Sequence, residues 1–168
     1  EWENLTITLN GGGPAGTVLA TANGACEVKG YIANPLVNLP AREDGKLDVG
    51  GSLGKGELTV IKDLGMKEPY VGTVSLVSGE IAEDLTSYFF ISEQQRSSVA
   101  LGVKVEKDLS IGAAGGLVIQ MLPDAEEGSI DALKQMISKM EPITTSISKV
   151  TESSAGATEQ GMVRMLLD

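Results

Sequence analysis

Gly11, Gly13 and Gly16 stand in the spacing G-x-G-x-x-G. In dinucleotide-binding folds that pattern seats a pyrophosphate against the N-terminus of the helix that follows it. Thr17-Val18-Leu19-Ala20-Thr21 follows here, a β-rich run halted by Asn23-Gly24 before a helix could form. The glycines therefore predict a hairpin turn, not a phosphate loop. Gly54-Lys55 runs into Gly56 and makes no P-loop either. The chain has no histidine, the commonest general base, so acid–base chemistry would fall to carboxylates such as Asp63, Glu80, Asp84 and Glu93. Their spacing matches no known catalytic pair, and they read as solvent-facing charge and helix caps. Cys26 is the only cysteine: no disulfide can form within the chain, and the usual zinc ligand sets cannot be assembled from it. Its place in an apolar alternation predicts a half-buried, inert core thiol.

The totals narrow the function further. A chain of 168 residues is one domain's worth and can bury roughly 70% of its unfolded surface. Hydrophobic content of 42% with 21% charged residues fits a globular protein. No apolar run approaches the ~20 residues of a membrane span, and there is no secretory h-region. Thirteen basic against 23 acidic residues give a net charge of −10, which repels phosphate backbones and argues against a nucleic-acid partner. The chain opens on Glu1-Trp2-Glu3 without an initiator Met, so a piece of a longer protein is expected.

The elements that carry these residues follow from periodicity. Leu5, Ile7 and Leu9 alternate with Thr6, Thr8 and Asn10; Thr17 to Ala20 resume after the glycines; and Cys26, Val28 and Ile32 share a face after a type I′ turn at Asn23-Gly24. This predicts a three-stranded antiparallel meander. Leu36 to Gly56 reads as loop or short helical turn, pinned by Leu47, Val49 and Leu53. Leu58 to Asp63 and Tyr70 to Val77 form a second strand pair. A faint echo links the two: LTI at Leu5 and GTV at Gly16 recur as LTV at Leu58 and GTV at Gly72. It reads equally as a strand-turn-strand unit used twice or as recurrence of a simple β pattern.

Ile81, Leu85, Tyr88 and Phe89 draw a helical stripe with Ser78 as its cap and Glu80, Glu83 and Asp84 near the positive end of its dipole. Tyr88, Phe89 and Phe90 are expected to fill the core rather than form an exposed aromatic patch. Val99, Leu101, Val103 and Val105 alternate as a strand, Glu106-Lys107-Asp108 turns, and Leu109 to Leu122 returns with glycines that suggest a bulge or a close crossing. From Ser129 the period changes to that of a helix through Ile130, Leu133, Ile137 and Met140, and Pro142 opens another through Ile143, Ile147 and Val150. The fold class is thus α+β: antiparallel meanders and hairpins packed with a few helices, residues 1–151 as the core and 152–168 as the start of a helical linker.

The runs GGGPAGTVLATANGACEVKGYIANP, KLDVGGSLGKGELTVIKDLG, SYFFISEQ and AAGGLVIQMLP, taken together and in this order, resemble the bacterial redox-regulated 33 kDa chaperonin family. The resemblance covers nearly the whole chain. It implies a cytoplasmic, ATP-independent holdase that binds unfolding proteins under oxidative stress, with an α+β core, a linker, and a separate C-terminal domain in which four cysteines hold zinc until oxidised. The family's N-terminal helical segment and its zinc cysteines have no counterpart in these residues. No cofactor is therefore expected in this chain, zinc being implied for a full-length parent through cysteines beyond Asp168.

Holding an unfolded client requires exposed apolar area, since affinity comes from removing that area from water. Met162, Val163, Met165, Leu166 and Leu167 are the expected client-binding residues, a Met-rich adaptable face at the linker's edge. The expected partners are unfolded or aggregation-prone proteins and a second copy in a homodimer, with neither nucleic acid nor membrane. Two rival readings stand beside this one: a structural oligomerisation domain, and a carboxylate enzyme built on the acids named above.

Overall fold

The structure is a computed structural model that describes residues 3–122, 125, 128, 135 and 139–153. The chain divides into two units, Glu1–Gln95 and Arg96–Asp168. In the first unit the strands β1 (Asn4–Gly11), β2 (Thr17–Asn23), β3 (Val28–Ile32), β4 (Gly56–Asp63) and β5 (Tyr70–Ser75) form one antiparallel sheet in the order β3-β2-β1-β4-β5. The short helix α1 (Val49–Leu53) and the helix α2 (Ile81–Ile91) complete it. Period-two alternation puts Leu5, Ile7 and Leu9 on one face of β1, beside Leu58 and Val60 of β4. That face meets Leu53, Val74 and Tyr88 in the buried core, with Ile81, Leu85 and Phe89 packed around it. The α+β class and the meander are as the sequence predicts.

The glycine motif closes a hairpin, and β2 follows it directly. Its glycines serve backbone proximity: the Gly13 amide donates to Leu53 O at 2.8 Å, Gly12 to Lys55 O at 2.9 Å and Ala15 to Ser52 O at 2.9 Å. A Cβ on Gly13 would lie 2.4 Å from Ser52 O, and one on Gly11 1.9 Å from Leu53 O. The motif is the seat of α1, with no helix N-terminus to hold phosphate.

The echo between the strand pairs is half structural. Thr6 faces Thr21 and Thr59 faces Thr73, each with hydroxyls 3.1 Å apart. The two pairs meet where β1 lies antiparallel to β4, Ile7 opposite Val60. The GTV runs are not equivalent, because Val18 sits opposite Leu9 while Val74 sits opposite Leu58.

Several local expectations are corrected. Cys26 is exposed, not half buried. The turn runs from Asn23 to Cys26, whose amide donates to Asn23 O, and Cys26 takes the left-handed conformation at φ 61°. The strand therefore starts at Val28, and the type I′ turn gives way to a longer loop held by the Asn23 carboxamide, which accepts from the Ala25 and Glu27 amides. Leu47 and Phe90 are exposed: Leu47 precedes α1, and Phe90 falls outside the stripe that Leu85, Tyr88 and Phe89 turn inward. Ser78 is not the cap of α2; Glu80 occupies that position, with Asp84 Oδ1 accepting from the Val77 and Ser78 amides.

In the second unit β6 (Ser97–Val105) and β7 (Ile111–Gln120) form a two-stranded ribbon with the helix α3 (Ile143–Ser153) beside it. Gly102 and Gly115 lie opposite each other on the face toward α3. A Cβ at Gly102 would meet Ile143 Cγ2 at 2.8 Å, and one at Gly115 would meet Ile147 Cδ1 at 3.0 Å. The glycines expected in β7 to mark a bulge or a close crossing do one each: Gly115 makes the close approach, and the register shifts after Lys104, where Gly112 is the extra residue. Ile130, Leu133 and Ile137 of the helix expected from Ser129 lie outside the described residues.

Candidate functional site

The ribbon has two unlike faces. On the first, Ala100, Gly102 and Lys104 lie opposite Leu117, Gly115 and Ala113, and α3 covers it. Ser98, Ala100, Leu117 and Ile119 line a cavity of about 200 Å³ there with Pro142 and Ile143. The second face carries Val99 opposite Val118, Leu101 opposite Gly116, Val103 opposite Ala114 and Val105 opposite Ile111. Burial follows this division the unexpected way round. Leu101 is 43%, Val103 52%, Val118 50% and Ile111 59% exposed. The alternation that predicts a strand here also predicts a buried aliphatic stripe, and this one is open.

The reason lies in two glycines. Gly102 and Gly115 clear space on one face for α3 to approach closely, so the helix packs on small residues. The β-branched and leucine side chains then remain on the opposite face. A row of large aliphatics on a rigid strand pair, uncovered, is the kind of surface that binds apolar chain by removing it from water. Leu109, at φ 68° in the β6–β7 turn, extends the apolar row to its tip. Sequence reasoning missed this face. The signal lay in the two glycines, which mark the side a helix can approach.

Met162, Val163, Met165, Leu166 and Leu167 all lie outside the described residues. The four acids each hold a structural contact, and Asp84 is fully buried, not solvent-facing as expected, because the amides before α2 turn inward to it. Asp63 Oδ1 accepts from the Gly65 amide, Glu80 from Arg42 at 2.8 Å, and Asp84 from the loop before α2. Glu93 accepts from Tyr88 Oη at 2.6 Å and is bridged by Lys62 Nζ. Burial pushes the Glu93 carboxyl up, but the Lys62 and Tyr88 hydrogen bonds outweigh it and hold the pKa below its ordinary value. Burial, followed by the bond to Glu93, pushes the Tyr88 phenol up. The group is a clamp: it ties the end of α2 to β4, with Tyr70 Oη 3.1 Å from Ser92 Oγ beside it. Cys26 stands on an exposed turn and the sequence has no histidine, and among the described residues no group of three or more cysteines and acids is placed to hold a metal ion.

The family model described as Hsp33 protein matches residues 1–166. The chain belongs to the Hsp33 family. A 33 kDa chaperonin of Clostridium botulinum is 55% identical over 150 residues, which are 89% of this chain and 51% of the relative. Another, from Clostridium perfringens, is 50% identical over 168 residues, 99% of this chain and 51% of the relative. The crystal structure of a 33 kDa chaperonin from Thermotoga maritima superposes with a TM-score of 0.82 at 38% identity, covering 99% of this chain and 55% of that one. The chain spans about half the length of the curated Hsp33 relatives it matches, and its antiparallel sheets with few helices agree with the Hsp33 fold. Among the described residues no helix is long and apolar enough to cross a membrane.

Proposed function

We propose that this chain is the client-holding part of an ATP-independent holdase that keeps unfolding proteins from aggregating under oxidative stress in the cytoplasm. The observation that carries the reading is the open aliphatic face of Leu101, Val103, Val118 and Ile111, in a chain whose family is that of a chaperonin. Each such side chain, already half exposed, would gain on the order of 1 kcal/mol when a client covers it. Several acting together give a broad, sequence-tolerant affinity. Met162 to Leu167 adds a second, adaptable contact on this reading, and the net charge of −10 keeps loaded complexes apart. Redox control and zinc belong, on the same reading, to cysteines outside these 168 residues.

Light scattering from a thermally unfolding model enzyme tests it. The chain is expected to suppress aggregation, and Leu101→Lys with Val103→Lys to lower that suppression severalfold while leaving stability within about 0.5 kcal/mol, as exposed sites allow. Equal suppression by the double variant would discard the ribbon face. Truncation after Thr151 that leaves suppression intact would discard the Met162 to Leu167 contact. A structural oligomerisation domain would instead show a concentration-dependent assembly by size exclusion and no suppression.

A further inference from the structure

We propose that the free edge of β3 takes up an extended segment of an unfolding polypeptide as a sixth strand of the sheet. The inference deepens the chaperone reading and rests on it. In the β2–β3 ladder the Asn23 amide donates to Glu27 O and the Ala33 amide to Thr17 O. Antiparallel pairing alternates, so with Thr21 opposite Lys29 and Leu19 opposite Tyr31, residues 27, 29, 31 and 33 turn their backbone groups toward β2. Val28, Gly30 and Ile32 turn theirs outward. All five residues of β3 are exposed, Val28 at 76% and Tyr31 at 59%. An edge of this kind is usually blunted by proline, a bulge or inward charge. β3 has no proline and its ladder with β2 runs without a bulge; its one edge charge, Lys29, lies on the face away from Val28 and Ile32. The opposite edge, β5, differs: Gly72 and Val74 are buried, and Tyr88 of α2 stands over Gly72.

Side chains define what fits. Val28, Gly30 and Ile32 lie on the same face as Ala22, Ala20 and Val18. Gly30, beside Ala20, places no side chain between Val28 and Ile32, so an added strand can seat one apolar side chain there. The next positions of an added strand meet Lys29 and Tyr31 on the other face, where polar groups are suited. The occupant is therefore an extended segment alternating apolar and polar residues, of the type a β-rich protein exposes as it unfolds. Charge separates it from a second copy of this chain, because two bodies of −10 repel while a neutral or basic segment is not opposed.

The probe is a fluorescein-labelled peptide of alternating valine and threonine with a lysine at each end, followed by anisotropy. It is expected to bind the full chain, and Gly30→Pro, which removes one outward donor and leaves the β2 ladder intact, is expected to weaken it at least tenfold. A peptide N-methylated at every residue tests the same point on the unaltered protein, and is expected not to bind. Equal binding by Gly30→Pro in a folded protein, or by the N-methylated peptide, overturns the proposal. So does a dimer by size exclusion that Gly30→Pro converts to monomer without changing peptide affinity, since the edge would then serve a second copy. Aggregation suppression separates the two layers: loss of peptide binding with suppression intact in the wild type sinks the edge alone, whereas no suppression by the wild type sinks the chaperone reading.

Discussion

Gly11, Gly12 and Gly13 are neighbours with unequal duties. Cβ atoms at Gly11 and Gly13 would strike the backbone of Ser52 and Leu53, whereas one at Gly12 would stand 3.7 Å from Lys55 O, in ordinary contact. Gly11→Ala and Gly13→Ala are expected to cost about 1 to 3 kcal/mol or more, because backbone gives way less readily than a side chain, and Gly12→Ala well under 1 kcal/mol. Urea denaturation of the three variants checks this; equal losses would mean that the seat of α1 is not what these glycines serve. Glu93 makes a second prediction at this scale. Its folded pKa lies below the ordinary 4.5, so its contribution is fully present above pH 4.5 and is lost as pH falls through the folded value. Glu93→Gln should lower stability at pH 7 by about 1 to 3 kcal/mol, the range of a charge-assisted hydrogen bond, and the gap to wild type should close in acid. A gap that is constant from pH 7 to pH 3 would show that the charge is not involved.

At the scale of elements, two hairpins share one solution. The β2–β3 loop places Cys26 at φ 61° and the β6–β7 loop places Leu109 at φ 68°, each after a turn closed by a backbone bond, to Asn23 O and Glu106 O respectively. Neither residue suits that conformation, which glycine adopts without steric cost. Leu109→Gly and Cys26→Gly are each expected to raise stability by up to about 1 kcal/mol, as relief of left-handed strain exceeds the entropy glycine adds to the unfolded chain. Thermal melts showing both variants destabilised would overturn the account. The helix α3 depends on glycine in the opposite sense. Gly115→Val would press a branched side chain against Ile147, so α3 should lift, with a loss of about 1 to 3 kcal/mol and faster exchange of the α3 amides. Unchanged exchange would place the packing elsewhere.

For the whole molecule, charge and greasy surface act together. Thirteen basic residues against 23 acidic ones add an electrostatic term to a contact that is otherwise apolar. Suppression of aggregation should weaken with salt for a basic client and strengthen for an acidic one, because screening removes an attraction in the first case and a repulsion in the second. Matching salt dependence for both would remove charge from the account. The strands, the glycine hairpin in place of a phosphate loop, and the inward stripe of α2 were all legible, since each rests on periodicity or on a turn residue within a few positions. Leu58, Val60, Leu85 and Tyr88 fell inside on that basis alone. Cys26, Leu47, Phe90 and the β6–β7 face were not legible. Alternation states that Leu101 and Val103 share a side; it does not state which side is covered. That choice was made by α3 packing its Ile143 and Ile147 onto Gly102 and Gly115, a contact between segments distant in the chain that no local pattern states.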